Sequence, residues 1–139
     1  MYACRVQSLA TLLEPILAGA PVDLAILYGS MARGTSGPGS DLDIGVTLVR
    51  GAVLSMREQL DLGDALERAV GREVDLVLLD DATPLLRHEA ARGECLYERA
   101  PGAFGDFVTR ALFEWDDVRP HFVRCARALM RGARGAQGA

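Results

Sequence analysis

Tyr28-Gly29-Ser30-Met31-Ala32-Arg33-Gly34-Thr35-Ser36-Gly37-Pro38-Gly39-Ser40-Asp41-Leu42-Asp43-Ile44-Gly45-Val46 is the stretch on which the fold turns. It follows an apolar run, Val22-Asp-Leu-Ala-Ile-Leu-Tyr28, that reads as a buried strand. Ile44-Gly-Val-Thr-Leu-Val49 has the β-branched character of a second strand. Ten residues separate Ser30 from Asp41. In a strand, side chains i and i+2 leave the same face, so Asp41 and Asp43 point one way and Leu42 the other. Two carboxylates side by side on an otherwise apolar strand repel each other and call for a cation between them, and hard oxygen ligands suit Mg²⁺. A Gly-Ser turn beside them allows close backbone approach and offers free N–H groups to a polyphosphate. The combination reads as a metal-nucleotide site.

The pattern resembles the nucleotidyltransferase superfamily that includes DNA polymerase beta, whose signature is Gly-Ser, ten residues, then Asp-any-Asp. Gly-Ser-Met-Ala-Arg-Gly followed by Ser-Asp-Leu-Asp is most similar to the smallest members, the minimal nucleotidyltransferases, over roughly residues 5–100. The resemblance implies an α/β fold in which a small mixed β-sheet carries helices mainly on one face. Residues 1–100 would form the nucleotidyltransferase domain and residues 101–139 a C-terminal helical extension of it. It also implies transfer of AMP from ATP to a hydroxyl, with two Mg²⁺ ions. Asp41 and Asp43 would hold the metals, Gly29 and Ser30 would cradle the phosphates, and Arg33 would reach the triphosphate.

A two-metal site needs a third carboxylate on a neighbouring strand. Asp75 fits, a lone acid in Val74-Asp-Leu-Val-Leu-Leu79 where a buried unpaired charge would be costly. The family places its third aspartate there too. Ser30 is read as a phosphate contact and not a nucleophile, since no triad signature surrounds it. His88 and His121 belong to no ligand-spaced cluster, and Asp80 and Asp81 fall beyond the strand, where they read as caps.

Composition narrows the chemistry further. All 15 basic residues are Arg, which excludes a Walker-type lysine, a kinase strand lysine and a Schiff base. A net charge of −4 argues against general nucleic-acid binding. No apolar run approaches the ~20 residues needed to span a bilayer, and the N-terminus lacks the pattern of an export signal. Cys4, Cys95 and Cys125 have no paired spacing and read as reduced thiols of a cytoplasmic protein.

Along the chain, Val6, Leu9, Leu13, Ile16 and Leu17 form one helical face, with Pro15 blurring the helix boundaries. Gly29 to Gly34 reads as a turn and short helical segment, and Gly34 to Ser40 as a flexible loop. Val53 to Val70 reads as a helix with Met56, Leu60, Leu66 and Val70 on one side, stopped by Gly71. Glu73–Leu79 reads as a strand, a helix capped by an aspartate or Thr83 ends near Gly93, and Glu94–Glu98 reads as a last short strand. Val108, Leu112, Trp115, Val118, Phe122 and Leu129 suggest a helical stripe, interrupted or kinked at Pro120, that packs as core. Were Phe107, Trp115 or Phe122 exposed, they and the Arg-rich stretch that follows would instead suit a docking surface.

Minimal nucleotidyltransferases are antitoxins paired with a helical HEPN-class ribonuclease, and the resemblance implies such a toxin as partner, with AMP placed on a toxin tyrosine. Two alternatives stand beside that reading: a small-molecule acceptor held by a separate helical subunit, and an antitoxin acting by occlusion without catalysis.

Overall fold

The computed structural model describes residues 2–29 and 41–137. The elements run α1 (Tyr2–Gly19), β1 (Val22–Tyr28), β2 (Leu42–Leu48), α2 (Met56–Val70), β3 (Val74–Leu78), a 3₁₀ turn (Leu79–Asp81), α3 (Pro84–Ala91), β4 (Glu94–Glu98) and α4 (Ala103–Gln137). The four strands form one sheet in the order β3-β2-β1-β4. β1 pairs antiparallel with β2 and β4, and β2 pairs parallel with β3. The sheet is therefore mixed, as the sequence predicts. The turn, helical segment and loop expected between Ser30 and Ser40 lie outside the described residues.

Strand alternation divides the apolar side chains between two cores. Ala25 and Leu27 of β1 and Leu42, Ile44 and Val46 of β2 join Leu13 and Leu17 of α1 and Leu62 and Leu66 of α2. On the other face Leu24, Ile26 and Tyr28 pack with Leu79, Ala90 of α3, and Phe107 and Ala111 of α4. This second, partial helix layer lies beyond the helices expected mainly on one face. It covers the sheet where Leu79 sits on Gly45, whose missing Cβ would stand 2.8 Å from Leu79 Cδ1.

Local signals set the boundaries. Ser55 and Glu58 form a capping box at the start of α2, and Gly71 ends it in the left-handed conformation. The Thr83 hydroxyl accepts from Leu86 N–H at the start of α3. Asp80, read as a possible cap, instead accepts from Leu48 N–H at 2.9 Å and ties off the end of β2. Arg87 pins the second layer. Its guanidinium donates to both carboxylate oxygens of Glu114 on α4 and to the carbonyls of Leu79 and Ala82. That hydrogen bonding holds the Arg87 pKa above its usual value and the Glu114 carboxyl below its own.

Three expectations about packed faces are corrected. Met56 and Leu60 are exposed, because the buried side of α2 is the one carrying Leu62 and Leu66. The helix face of α4 that meets the domain carries Phe104, Phe107 and Ala111; Leu112 lies off that face and is exposed, and Phe122 and Leu129, farther along the helix, are exposed too. Phe107 is buried and unavailable as an interface anchor. Both prolines sit inside continuous helices, Pro15 in α1 and Pro120 in α4.

Gly45→Ala tests the close contact between the sheet and its second layer. Leu79 is fully buried and has nowhere to swing, so the added methyl should destabilise the fold by about 1–3 kcal/mol. Urea unfolding of the two proteins measures this, with a lower midpoint and unchanged slope expected.

Candidate active site

Strand register sets where the acids stand. Asp43 of β2 is the direct partner of Tyr28 on antiparallel β1 and of Asp75 on parallel β3. Paired residues on adjacent strands share a face, so Tyr28, Asp43 and Asp75 stand side by side across three strands. Asp41, two residues before Asp43, leaves the same side. This is the face that also carries Leu24 and Ile26, opposite α1 and α2. The second helix layer reaches Gly45 but leaves Asp41 and Asp75 exposed.

Gly29 completes the arrangement. It follows β1 with φ 75°, and a Cβ there would lie 2.4 Å from Asp43 Oδ2. Glycine is required twice over, for the backbone angle and for the carboxylate packed against it. Ser30 and Arg33, the expected phosphate contacts, lie outside the described residues.

Electrostatics follow the crowding. Asp43 is half-buried, and its carboxyl is held above the usual range, first by burial and then by the charges of Asp75 and Asp41. Burial pushes the Tyr28 phenol up to about 12, with Asp43 and Asp75 adding to the shift. Tyr28 therefore stays neutral at any physiological pH. Asp75 differs from its expected setting: it lies on an edge strand and is exposed, so the cost of burying it does not arise. Its place beside Asp43 is what links it to the site.

The donor set has the chemistry of a hard divalent cation site. Among the described residues, however, no group of three or more His, Cys, Asp or Glu side chains is drawn close enough to hold a metal ion. A site of adjacent but unclosed carboxylates suits magnesium, which takes one or two carboxylates and fills its remaining positions with phosphate oxygens and water. The histidines stay out of it, as expected. His88 stacks on Trp115 at 5.1 Å, and His121 Nδ1 meets Arg124 at 2.9 Å.

A family model, Polymerase beta, Nucleotidyltransferase, matches residues 13–101. The chain belongs to this nucleotidyltransferase family. The matched span contains β1 to β4 and all of the site residues above. Solved structures share the nucleotidyltransferase fold. One is a toxin–antitoxin with AMP-PNP, 22% identical over 87% of this chain and 98% of the matched one, TM-score 0.75. Another is the toxin–antitoxin MntA-HepT, 20% identical over 89% and 98%, TM-score 0.71. A third is a tri-AMPylated Shewanella oneidensis HEPN toxin in complex with an MNT antitoxin, 20% identical over 94% and 99%, TM-score 0.68. No curated protein matches the chain. Among the described residues no helix is long and apolar enough to cross a membrane.

Tyr28 is the member of this constellation that sequence reading missed. It reads as the last apolar residue of a buried strand, and only the β1–β2 register reveals that it faces Asp43. A separate cavity of about 550 Å³ lies at the far end of the same face, lined in part by Thr47, Arg50, Phe107 and Arg110. Leu79 on Gly45 lies between it and the acids.

The raised Asp43 pKa has a stability consequence whose sign is fixed. A folded-state value above the unfolded 3.8 means that folding favours the protonated acid. The stabilisation is present below the unfolded value and lost as pH rises through the raised one. At neutral pH without metal, Asp43 thus weakens the fold. In EDTA, Asp43→Asn should melt above the wild type at pH 7, and the gap should close as pH falls toward 4; calorimetric melts across that range measure it.

Proposed function

We propose that this protein transfers AMP from Mg-ATP to a hydroxyl, with the tyrosine of a helical HEPN-class toxin as acceptor, and so acts as the antitoxin of the pair. The observation that carries the chemistry is the register that sets Asp43 beside Asp75 and against Gly29, with the charge of Asp41 near enough to act on Asp43, in a chain of the nucleotidyltransferase family. Support for the partner comes from relatives of the same fold that are complexes of toxin and antitoxin, one with AMP-PNP and one with an AMPylated toxin.

In this reading Asp41 and Asp43 hold the metal ions and Asp75 completes the site on the acceptor side. Magnesium, when bound, neutralises the triphosphate and favours ionisation of the acceptor hydroxyl. Gly29 and Ser30 hold the phosphates, and Arg33 adds a guanidinium to them. The acceptor oxygen attacks the α-phosphorus in line, and its proton passes to Asp75 or to water. The bond from the α-phosphorus to the bridging oxygen breaks, and pyrophosphate leaves. Neutral Tyr28 walls one side of Asp43 without competing for the cation. Rate comes from positioning and charge neutralisation, not from a covalent enzyme intermediate. Residues 1–100 carry this chemistry, and residues 101–139 extend the domain. The protein works in the cytoplasm, where its thiols stay reduced.

ATP binding should depend on the metal, since the clustered carboxylates repel a bare triphosphate. Calorimetry should show tight binding in Mg²⁺ and little in EDTA, and Asp43→Asn should lose binding even in Mg²⁺. Intact mass of the toxin after incubation with ATP and Mg²⁺ should rise by AMP units with the wild type. The rate should fall by at least about a hundredfold with Asp41→Asn/Asp43→Asn. Neutralisation of the toxin by the double variant with no mass change from either protein would establish occlusion instead.

A further inference from the structure

Tyr28 belongs both to the second core and to the acid cluster. It is grouped with Leu79, Ala90 and Phe107 on its face of the sheet, and only 7% of the residue is exposed. Register sets it directly opposite Asp43, and the Cβ atoms of such a pair stand about 5 Å apart on one face. The phenol feels the charges of both Asp43 and Asp75. Its ring is rooted in the core and its hydroxyl lies at the acid end of the face.

That hydroxyl has no protein partner. Among the described residues it joins no hydrogen bond, yet it is not one of the polar atoms that the fold seals from solvent unbonded. It therefore opens onto the cleft. Ionised Asp41, Asp43 and Asp75 can only accept hydrogen bonds, whereas a phenol donates. Their oxygens are what a cation takes, which leaves Tyr28 as the neutral donor among the described residues of the cluster. A donor fixed by a packed ring and left unbonded is preorganised for an acceptor that a ligand brings. Strand order indicates which part of the ligand that is. β1 and β3 flank β2 on opposite sides, so Tyr28 stands across Asp43 from Asp75 and is joined directly to Gly29.

We propose that the Tyr28 hydroxyl is a nucleotide-binding group that donates a hydrogen bond to an oxygen of the β- or γ-phosphate of Mg-ATP. This rests on the reading above, in which Gly29 and Ser30 hold the phosphates and Asp75 faces the acceptor. The buried ring holds the donor in place before the nucleotide arrives, and the same hydroxyl stays bonded to the pyrophosphate as it leaves.

Tyr28→Phe tests this, because it removes the oxygen and keeps the ring; its melting temperature in EDTA should not fall below that of the wild type. Calorimetry should show Mg-ATP and Mg-pyrophosphate both bound about tenfold to a hundredfold more weakly by the variant, the range for a hydrogen bond to a charged group. Binding of Mn²⁺ without nucleotide, read by electron paramagnetic resonance, should be the same in both proteins. No acceptor enters these titrations. Equal affinity of the two proteins for Mg-ATP would overturn this proposal and leave the proposed function standing, whereas no binding by the wild type would overturn both. A weakened Mn²⁺ site would assign the hydroxyl to Asp43, a loss confined to ATP would assign it to the nucleoside, and a lowered melting temperature would assign it to the fold. Each of these would overturn the phosphate contact.

Discussion

Strand register at one corner of the sheet fixes nearly everything that matters about this molecule. Antiparallel pairing puts Asp43 opposite Tyr28, and parallel pairing puts it beside Asp75. A slip of one residue in either ladder would turn the carboxylate into the core in place of Ile44 and Leu42. The apolar partners enforce the register. Leu42, Ile44 and Val46 are fully buried against α1 and α2, and exchanging them for Asp41, Asp43 and Gly45 would bury two charges without partners. The core on one face thus holds the acids in line on the other.

That arrangement has an energetic cost, visible in the raised pKa of Asp43. Carboxylates crowded at the end of a strand weaken the metal-free fold, and the rest of the structure must offset them. Much of the offset is local. Gly29 removes the one Cβ that would strike Asp43, Asp80 ties off the far end of β2, and Arg87 clamps the second helix layer through Glu114 and the carbonyls before α3. A site that repels itself when empty is poised to gain when a cation arrives, which couples ligand binding to stability.

The strands and the placement of the acids were legible because they rest on short-range rules. Period-two alternation put Asp41 and Asp43 on one face, and the apolar run 74–79 marked its strand with Asp75 in place. Pairing was not legible. Nothing in Tyr28 distinguishes it from Leu24 and Ile26 until β2 is laid beside β1. Helix faces were harder still. Met56 and Leu60 fit a stripe as well as Leu62 and Leu66 do, and 3.6-residue periodicity alone cannot choose between two apolar arcs. The same ambiguity led from Phe107 and Ala111 to Leu112. The reason is physical: a helix that carries apolar residues on more than one side has a second surface to cover.

The two faces of the sheet therefore divide the labour of the fold. The face under α1 and α2 is sealed. The other is closed at one end by Leu79, Ala90 and Phe107, and at its other end Asp41 and Asp75 face water. Because the closing helix α3 is anchored through Gly93, whose missing Cβ would stand 2.3 Å from the Leu27 carbonyl, the second layer cannot slide toward the acids without breaking the β1 contact. The same packing that closes one end of this face leaves Asp41 and Asp75 uncovered at the other.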